Sequence, residues 1–175
     1  MLKYIRLGYF TVALLGVFGF VATAQAATVG IVALGASNTT GKGVSSSEAW
    51  PAQLEGMLKA KGYDVSMTVN GLNGDTSAGI ASRVGSIPAG TQIVLYDTGA
   101  DNDRKAGVAG AERQAHIAQI ASGIRARGAV AIEVNYSGFT GSLRQADGVH
   151  LTAEGHRRLA GQLLPRVVAA IGKRH

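Results

Sequence analysis

Residues 28–43 read TVGIVALGASNTTGKG. The first seven, Thr28 to Leu34, are short, apolar and β-branched. Such a run suits a strand buried on both faces, as in a parallel sheet. At Gly35 the composition changes to glycine, serine and threonine. In α/β sheets ligands bind just beyond the carboxyl ends of strands, so Gly35-Ala36-Ser37-Asn38-Thr39 is the first place to look for chemistry.

The same alternation recurs along the rest of the chain. Ser45-x-x-Glu48 resembles a capping box, and Pro51 suits a first helical turn. Leu54, Met57 and Leu58 continue the helical spacing up to Gly62. Tyr63 to Val69, Thr91 to Tyr96 and Ala129 to Val134 predict three further strands. Ile117, Ile120, Ala121 and Ile124 put an apolar stripe on a helix ending near Gly128. Thr152 is placed to cap a last helix with Leu159, Leu163, Val167 and Ile171 on one face. There is no internal repeat. Strands alternating with helices predict a parallel sheet covered on both faces.

The 175 residues suffice for one domain, and 46% hydrophobic against 16% charged content supports a packed core rather than disorder. The first 26 residues differ from the rest. Lys3 and Arg6 precede an apolar stretch from Leu7 to Ala24, then Ala24-Gln25-Ala26. This predicts an export signal cut after Ala26, leaving residues 27–175 as a single domain exported to the periplasm or the exterior. The competing reading is an uncleaved N-terminal membrane anchor. With Lys3 and Arg6 removed and no acid lost, the net charge of +6 falls to +4. The chain has no cysteine, which excludes disulfides, thiolate metal sites and a cysteine nucleophile. Arg157, Arg158, Arg166, Lys173 and Arg174 are spread over the last helix and its tail with no nucleic-acid reading motif, so no nucleic-acid partner is expected.

Each predicted strand end offers reactive or turn-forming groups. After the first comes Ser37. After the second comes Asn70-Gly71-Leu72-Asn73-Gly74-Asp75-Thr76, and after the third Asp97-Thr98-Gly99-Ala100-Asp101-Asn102-Asp103. Beyond the fourth lie Asp147 and His150 in DGVHLTAEGH, residues 147–156. Acyl transfer needs such a set. A serine needs a base, a histidine titrates near neutrality, and an aspartate fixes its tautomer. Backbone N–H groups of Ser37 and Gly74 and the amide of Asn102 are candidate donors to an oxyanion. Each piece alone has an ordinary explanation as turn chemistry. Their weight comes from lying at the same ends of successive strands.

These blocks resemble those of the SGNH hydrolases, also called GDSL esterases. VALGASNTTGKG resembles the first block, with Ser37 as nucleophile. VNGLNGDTSAG resembles the second, with Gly74 as oxyanion donor. TGADNDRKAG resembles the Gly-x-Asn-Asp block, with Asn102 as donor, and DGVHLTAEGH the last, with Asp147 and His150. The resemblance implies an α/β fold of flavodoxin-like three-layer α/β/α type, with a parallel sheet of four to five strands. It also implies ester or thioester hydrolysis through an acyl-enzyme, without cofactor or metal.

Two departures stand out. Ala36 occupies the position of the family's aspartate before the nucleophile. The third block is one residue longer than Gly-x-Asn-Asp, and an ungapped alignment would put Asp101 where asparagine belongs. A carboxylate there would repel an oxyanion, so the gapped reading with Asn102 is preferred. A disabled oxyanion hole would leave a non-catalytic binding protein on the same fold.

A metal site built from Asp147, His150 and His156 is disfavoured, because helix geometry is read as turning His156 to solvent beside Arg157. His116 and His175 belong to no motif and are expected to be exposed. An α/β-hydrolase would need Gly-x-Ser-x-Gly, which Gly35-Ala36-Ser37-Asn38-Thr39 does not supply. Tyr136, Phe139 and Leu143, in the loop leading to Asp147, are expected to wall the substrate site as a shallow cover, giving a preference for short acyl groups. The expected partners are a small acyl-ester or lysolipid substrate and a membrane surface touched transiently, with the chain acting as a monomer.

Overall fold

A computed structural model describes residues 27–173. The export signal and its cleavage site, Arg174 and His175 lie outside the described residues. Four strands form one parallel sheet: β1 (Val29–Gly35), β2 (Val65–Gly71), β3 (Ile93–Tyr96) and β4 (Val130–Glu133). Their order is β2-β1-β3-β4, with every neighbouring pair parallel. The helices are α1 (Ser37–Thr40), α2 (Trp50–Ala60), α3 (Ser77–Ser82), α4 (Ala100–Lys105), α5 (Gly110–Ala126) and α6 (Ala153–Gly172). The expected α/β fold class is borne out, with four strands among the described residues, the lower of the two expected numbers.

The period-two pattern of the central strands divides the core into two layers. Ile31 and Ala33 of β1 and Ile93 and Leu95 of β3 face α2 and α6, where they meet Trp50, Leu54, Leu58, Leu159, Leu163 and Val167. Val32, Leu34, Val94 and Tyr96 face the other side and pack on Ile80, Ala81, Ile120 and Ile124 of α3 and α5. The stripes expected on the second, fifth and last helices are the stripes that are buried.

The strands are shorter or shifted by one to two residues relative to the apolar runs. Thr91, for instance, donates its N–H to Pro88 in a turn before β3 begins. The capping-box residues Ser45 and Glu48 do bond each other, but in a turn ahead of the helix, which starts at Trp50 behind Ala49. Thr152 caps α6 as expected, its hydroxyl accepting from the Gly155 N–H at 3.2 Å.

Two histidines sit elsewhere than the sequence suggested. His156 is fully buried rather than turned to solvent, and its Nδ1 accepts the Trp50 N–H at 3.2 Å, tying α6 to α2. His116 is half-buried, with Nδ1 3.0 Å from the Ser77 hydroxyl.

Because all four strands are parallel, their carboxyl ends meet along one edge of the sheet. The chain steps outward from β1 to β2 and then crosses back to β3. The order therefore reverses between β1 and β3, and a crevice is expected above that point.

Candidate active site

The crevice is there, and Ser37 stands in it. β1 ends at Gly35, where a side chain would collide with Thr39 and Asp97, so the strand can turn tightly into α1. Ser37 is the first residue of α1, and the first amides of a helix have no intrahelical acceptor. Its hydroxyl lies 2.9 Å from His150 Nε2. On the other side of the imidazole, His150 Nδ1 lies 2.5 Å from Asp147 Oδ2. The second carboxylate oxygen of Asp147 accepts the backbone N–H groups of Val149 and His150, each at 2.9 Å. The contact with the His150 ring, joined by those two amides, holds the Asp147 carboxyl well below the usual carboxylate range. Asp147, His150 and Ser37 thus form one continuous chain of hydrogen bonds.

The loop carrying the pair is fastened from both sides. Asn38 donates its amide to the Val149 carbonyl at 3.2 Å and accepts the Leu151 N–H at 2.9 Å. The residue after the serine thereby sets the height of His150. Within the loop, Gln145 donates its N–H to the His150 carbonyl at 2.8 Å, and Arg144 bonds the carbonyls of Phe139 and Val149.

Gly74 sits in a tight turn closed by the Asp75 N–H on the Leu72 carbonyl, at φ 80°, a conformation glycine adopts without strain. Its N–H has no acceptor among the described residues. The turn is held by Asn102, whose amide donates to the Asp75 carbonyl at 2.7 Å. It is held also by Arg83, which grips the Asp75 carboxylate, the Asn70 carbonyl and side chain, and the Gly35 carbonyl. One guanidinium thus joins the ends of β1 and β2 to the Gly74 turn. Buried Asp103 accepts the Ser77 N–H at 2.9 Å and fixes the start of α3 against α4.

The crevice itself is small, about 30 Å³, and is lined by Ala36, Ser37, Asp97, Asp101, Asn102, Tyr136 and Val149 among others. Asp101 and Asn102 both reach it. The Asp101 carboxylate is paired with Arg104 and lies 4.0 Å from Arg144. Asp97 forms part of the floor. It accepts the Gly99 N–H at 3.0 Å and the Tyr136 hydroxyl at 3.1 Å, and burial raises its pKa. Burial, and then the Asp97 charge, raise that of Tyr136 well above the ordinary tyrosine value.

Of the three residues expected to wall the site, only Tyr136 lines the crevice. Phe139 is 2% exposed and belongs to the α2–α6 layer of the core, and Leu143 packs against that same layer. Both are drawn inward because the loop must cover the end of α6. Asn38, Arg83, Asp97 and Arg144 were missed by the sequence reading. Only Asn38 carried a signal, as a polar side chain directly beside the nucleophile. Among the described residues no three histidine, aspartate or glutamate side chains converge as metal ligands, and His156 is spent on Trp50.

No family model matches the chain. It is 34% identical over 109 residues to the esterase TesA of Pseudomonas aeruginosa, covering 61% of this chain and 54% of that one. The chain thus spans about half the length of this curated relative. Among solved structures, TesA superposes with a TM-score of 0.72 at 24% identity, covering 81% of this chain and 99% of that one. The psychrotrophic esterase EstA from Pseudoalteromonas sp. gives 0.68 at 17% identity, covering 82% and 98%. AlinE4, an SGNH-hydrolase family esterase, gives 0.57 at 21% identity, covering 84% and 98%. The chain therefore has the SGNH-hydrolase fold, as the resemblance implied.

Proposed function

We propose that this protein is a serine esterase acting on carboxylic esters or thioesters of short acyl groups. The observation that carries the reading is the unbroken contact from Asp147 through His150 to Ser37, at the crevice where the strand order reverses. The similarity to a curated esterase supports the same reading.

In this mechanism the Ser37 oxygen bonds to the substrate carbonyl carbon while its proton passes to His150 Nε2. Asp147 stays ionised and stabilises the imidazolium across the Nδ1 contact. Negative charge gathers on the former carbonyl oxygen. The amides of Ser37 and Gly74 and the side chain of Asn102 are the donors that would meet it. Collapse breaks the bond to the alcohol or thiol, which leaves with the proton from His150. Water then repeats the sequence on the acyl-enzyme and releases the acid. The asparagine, not Asp101, is assigned as the third-block donor. Its amide already lies against the Gly74 turn, whereas the Asp101 charge is met by two arginines.

A fluorophosphonate probe tests the reading directly. The full chain is expected to be labelled at Ser37 and to hydrolyse p-nitrophenyl acetate. Folded Ser37→Ala and His150→Ala variants are expected to lose nearly all turnover. A folded wild type that takes no label would be a binding protein on this fold.

Residues 1–26 are read as an export signal on sequence grounds alone: the basic start, the apolar stretch and Ala24-Gln25-Ala26. Protein recovered from the exported fraction should begin at Ala27. Recovery of the intact N-terminus in the membrane fraction would mean an anchor.

A further inference from the structure

The third block carries one residue more than its family pattern, and the proposed chemistry has no use for the Asp101 carboxylate. Asp101 lies on α4 and lines the crevice. Its carboxylate reaches in two directions, to Arg104 on its own helix and across to Arg144 at 4.0 Å. Arg144 is not a loose surface side chain. Its Nε donates to the Phe139 carbonyl at 2.7 Å, and its guanidinium also bonds the Val149 carbonyl. Val149 lines the same crevice, and its carbonyl is shared with Asn38.

The pair therefore connects α4 to the loop bearing Asp147 and His150. Through the Val149 carbonyl it is also linked to Asn38, the residue after the nucleophile. The Arg144 side chain is 18% exposed and that of Asp101 29%, so both charges are largely shielded. The crevice they border is narrow, about 30 Å³, and open to solvent, so it suits a small acyl group such as acetyl and buries little of a longer one.

We propose that the Asp101–Arg144 ion pair is a specificity wall that ends the acyl site a carbon or two beyond the scissile carbonyl. The inference rests on the esterase reading and deepens it. It gives the extra third-block residue a purpose: its charge is kept from the oxyanion by the arginines and spent on bridging the two banks of the crevice. Longer acyl groups then have nowhere apolar to go and gain nothing from their added methylenes.

The test compares kcat/KM for p-nitrophenyl acetate, butyrate and octanoate on the purified full chain. Acetate turnover and fluorophosphonate labelling of wild type check the esterase reading separately. If both are absent, that reading fails and this one falls with it. If both are present, Asp101→Asn and Asp101→Ala should raise the octanoate-to-acetate ratio by about tenfold or more. Each methylene that becomes buried adds roughly fourfold. Asp101→Asn is the deciding variant because it keeps the shape and removes the charge. Arg144→Gln should act in the same direction, though it also frees two carbonyls of the catalytic loop. Arg104→Ala should leave the ratio unchanged, since Arg104 does not cross the crevice. A wild-type ratio in the Asp101 variants, or a change in Arg104→Ala as large as theirs, overturns the proposal.

Discussion

Asn102 and Arg83 show how much of this site rests on single side chains. The Asn102 amide has two hydrogens. One is committed to the Asp75 carbonyl, which leaves the other for an oxyanion. Asn102→Ala should reduce kcat by about 10²- to 10³-fold, the usual loss for one oxyanion donor, roughly 2.7–4 kcal/mol. Asp101→Ala should cost far less with acetyl esters. A harmless Asn102→Ala would reverse the assignment within the third block. Arg83 does not line the crevice but makes five hydrogen bonds to Gly35, Asn70 and Asp75. Arg83→Ala should lower kcat by about tenfold or more with KM little changed, because the Gly74 turn loses its register. Arg83→Lys should restore only part, since an ammonium cannot reproduce the planar fork. Equal losses in kcat and in thermal stability for both variants would mean that Arg83 only supports the fold. Ser37, Asp147 and His150 were legible in the sequence because their block spacings are local. Arg83 and Asp97 were not. Each is an ordinary charged residue in sequence and acquires its partners only when strand ends meet.

At the scale of elements, α6 was legible in its cap and its stripe but misread at one position. Leu159, Leu163, Val167 and Ile171 define its buried face, and His156 lies three residues before the first of them, on the same stripe. The spacing itself pointed inward; the polar character of histidine argued otherwise, and packing won. His156 is fully buried and accepts the Trp50 N–H, so it must stay neutral for α2 and α6 to meet. Burial lowers its pKa from 6.5 to about 4, opposed by the charge of Glu48 and aided by that of His150. The unfolded chain thus binds a proton that the folded chain refuses, between pH 6.5 and 4. The stability from this neutral histidine is full above pH 6.5 and drains away as pH falls towards 4. The loss is on the order of 3 kcal/mol. Urea midpoints measured from pH 7 to pH 4 should fall accordingly. The part owed to His156 should vanish in His156→Leu, even though that variant is less stable at neutral pH for leaving the Trp50 amide unpaired. An unchanged slope in His156→Leu would mean that other groups carry the acid sensitivity.

For the whole molecule, the alternation of strands and helices was enough to give the layers, because period two and period 3.6 report burial directly. What it left open was how the layers are coupled. The two halves of the core lie on opposite faces of one thin sheet, and no disulfide links them. β1 and β3 supply alternate residues to both: Ile31 and Ala33 to one, Val32 and Leu34 to the other. A strand cannot release one face and keep the other, since its backbone bonds serve both. Loss of either layer should therefore unfold the whole sheet. The sequence happens to contain the means of testing this. Its single tryptophan, Trp50, is fully buried between α2 and α6 and reports on one layer only. Ile120 is fully buried in the opposite layer, on α5. Ile120→Ala should destabilise the protein by about 2–5 kcal/mol through lost burial and the cavity left behind. If the sheet couples the layers, the Trp50 fluorescence midpoint should move by the same amount as the far-UV circular dichroism midpoint, although Trp50 lies across the sheet from the substitution. If instead the dichroism shows an early partial loss while the Trp50 transition stays at its wild-type midpoint, the α3–α5 layer unfolds by itself. The edge of the crevice, where α3 and α4 hold the Gly74 turn, would then melt before the rest.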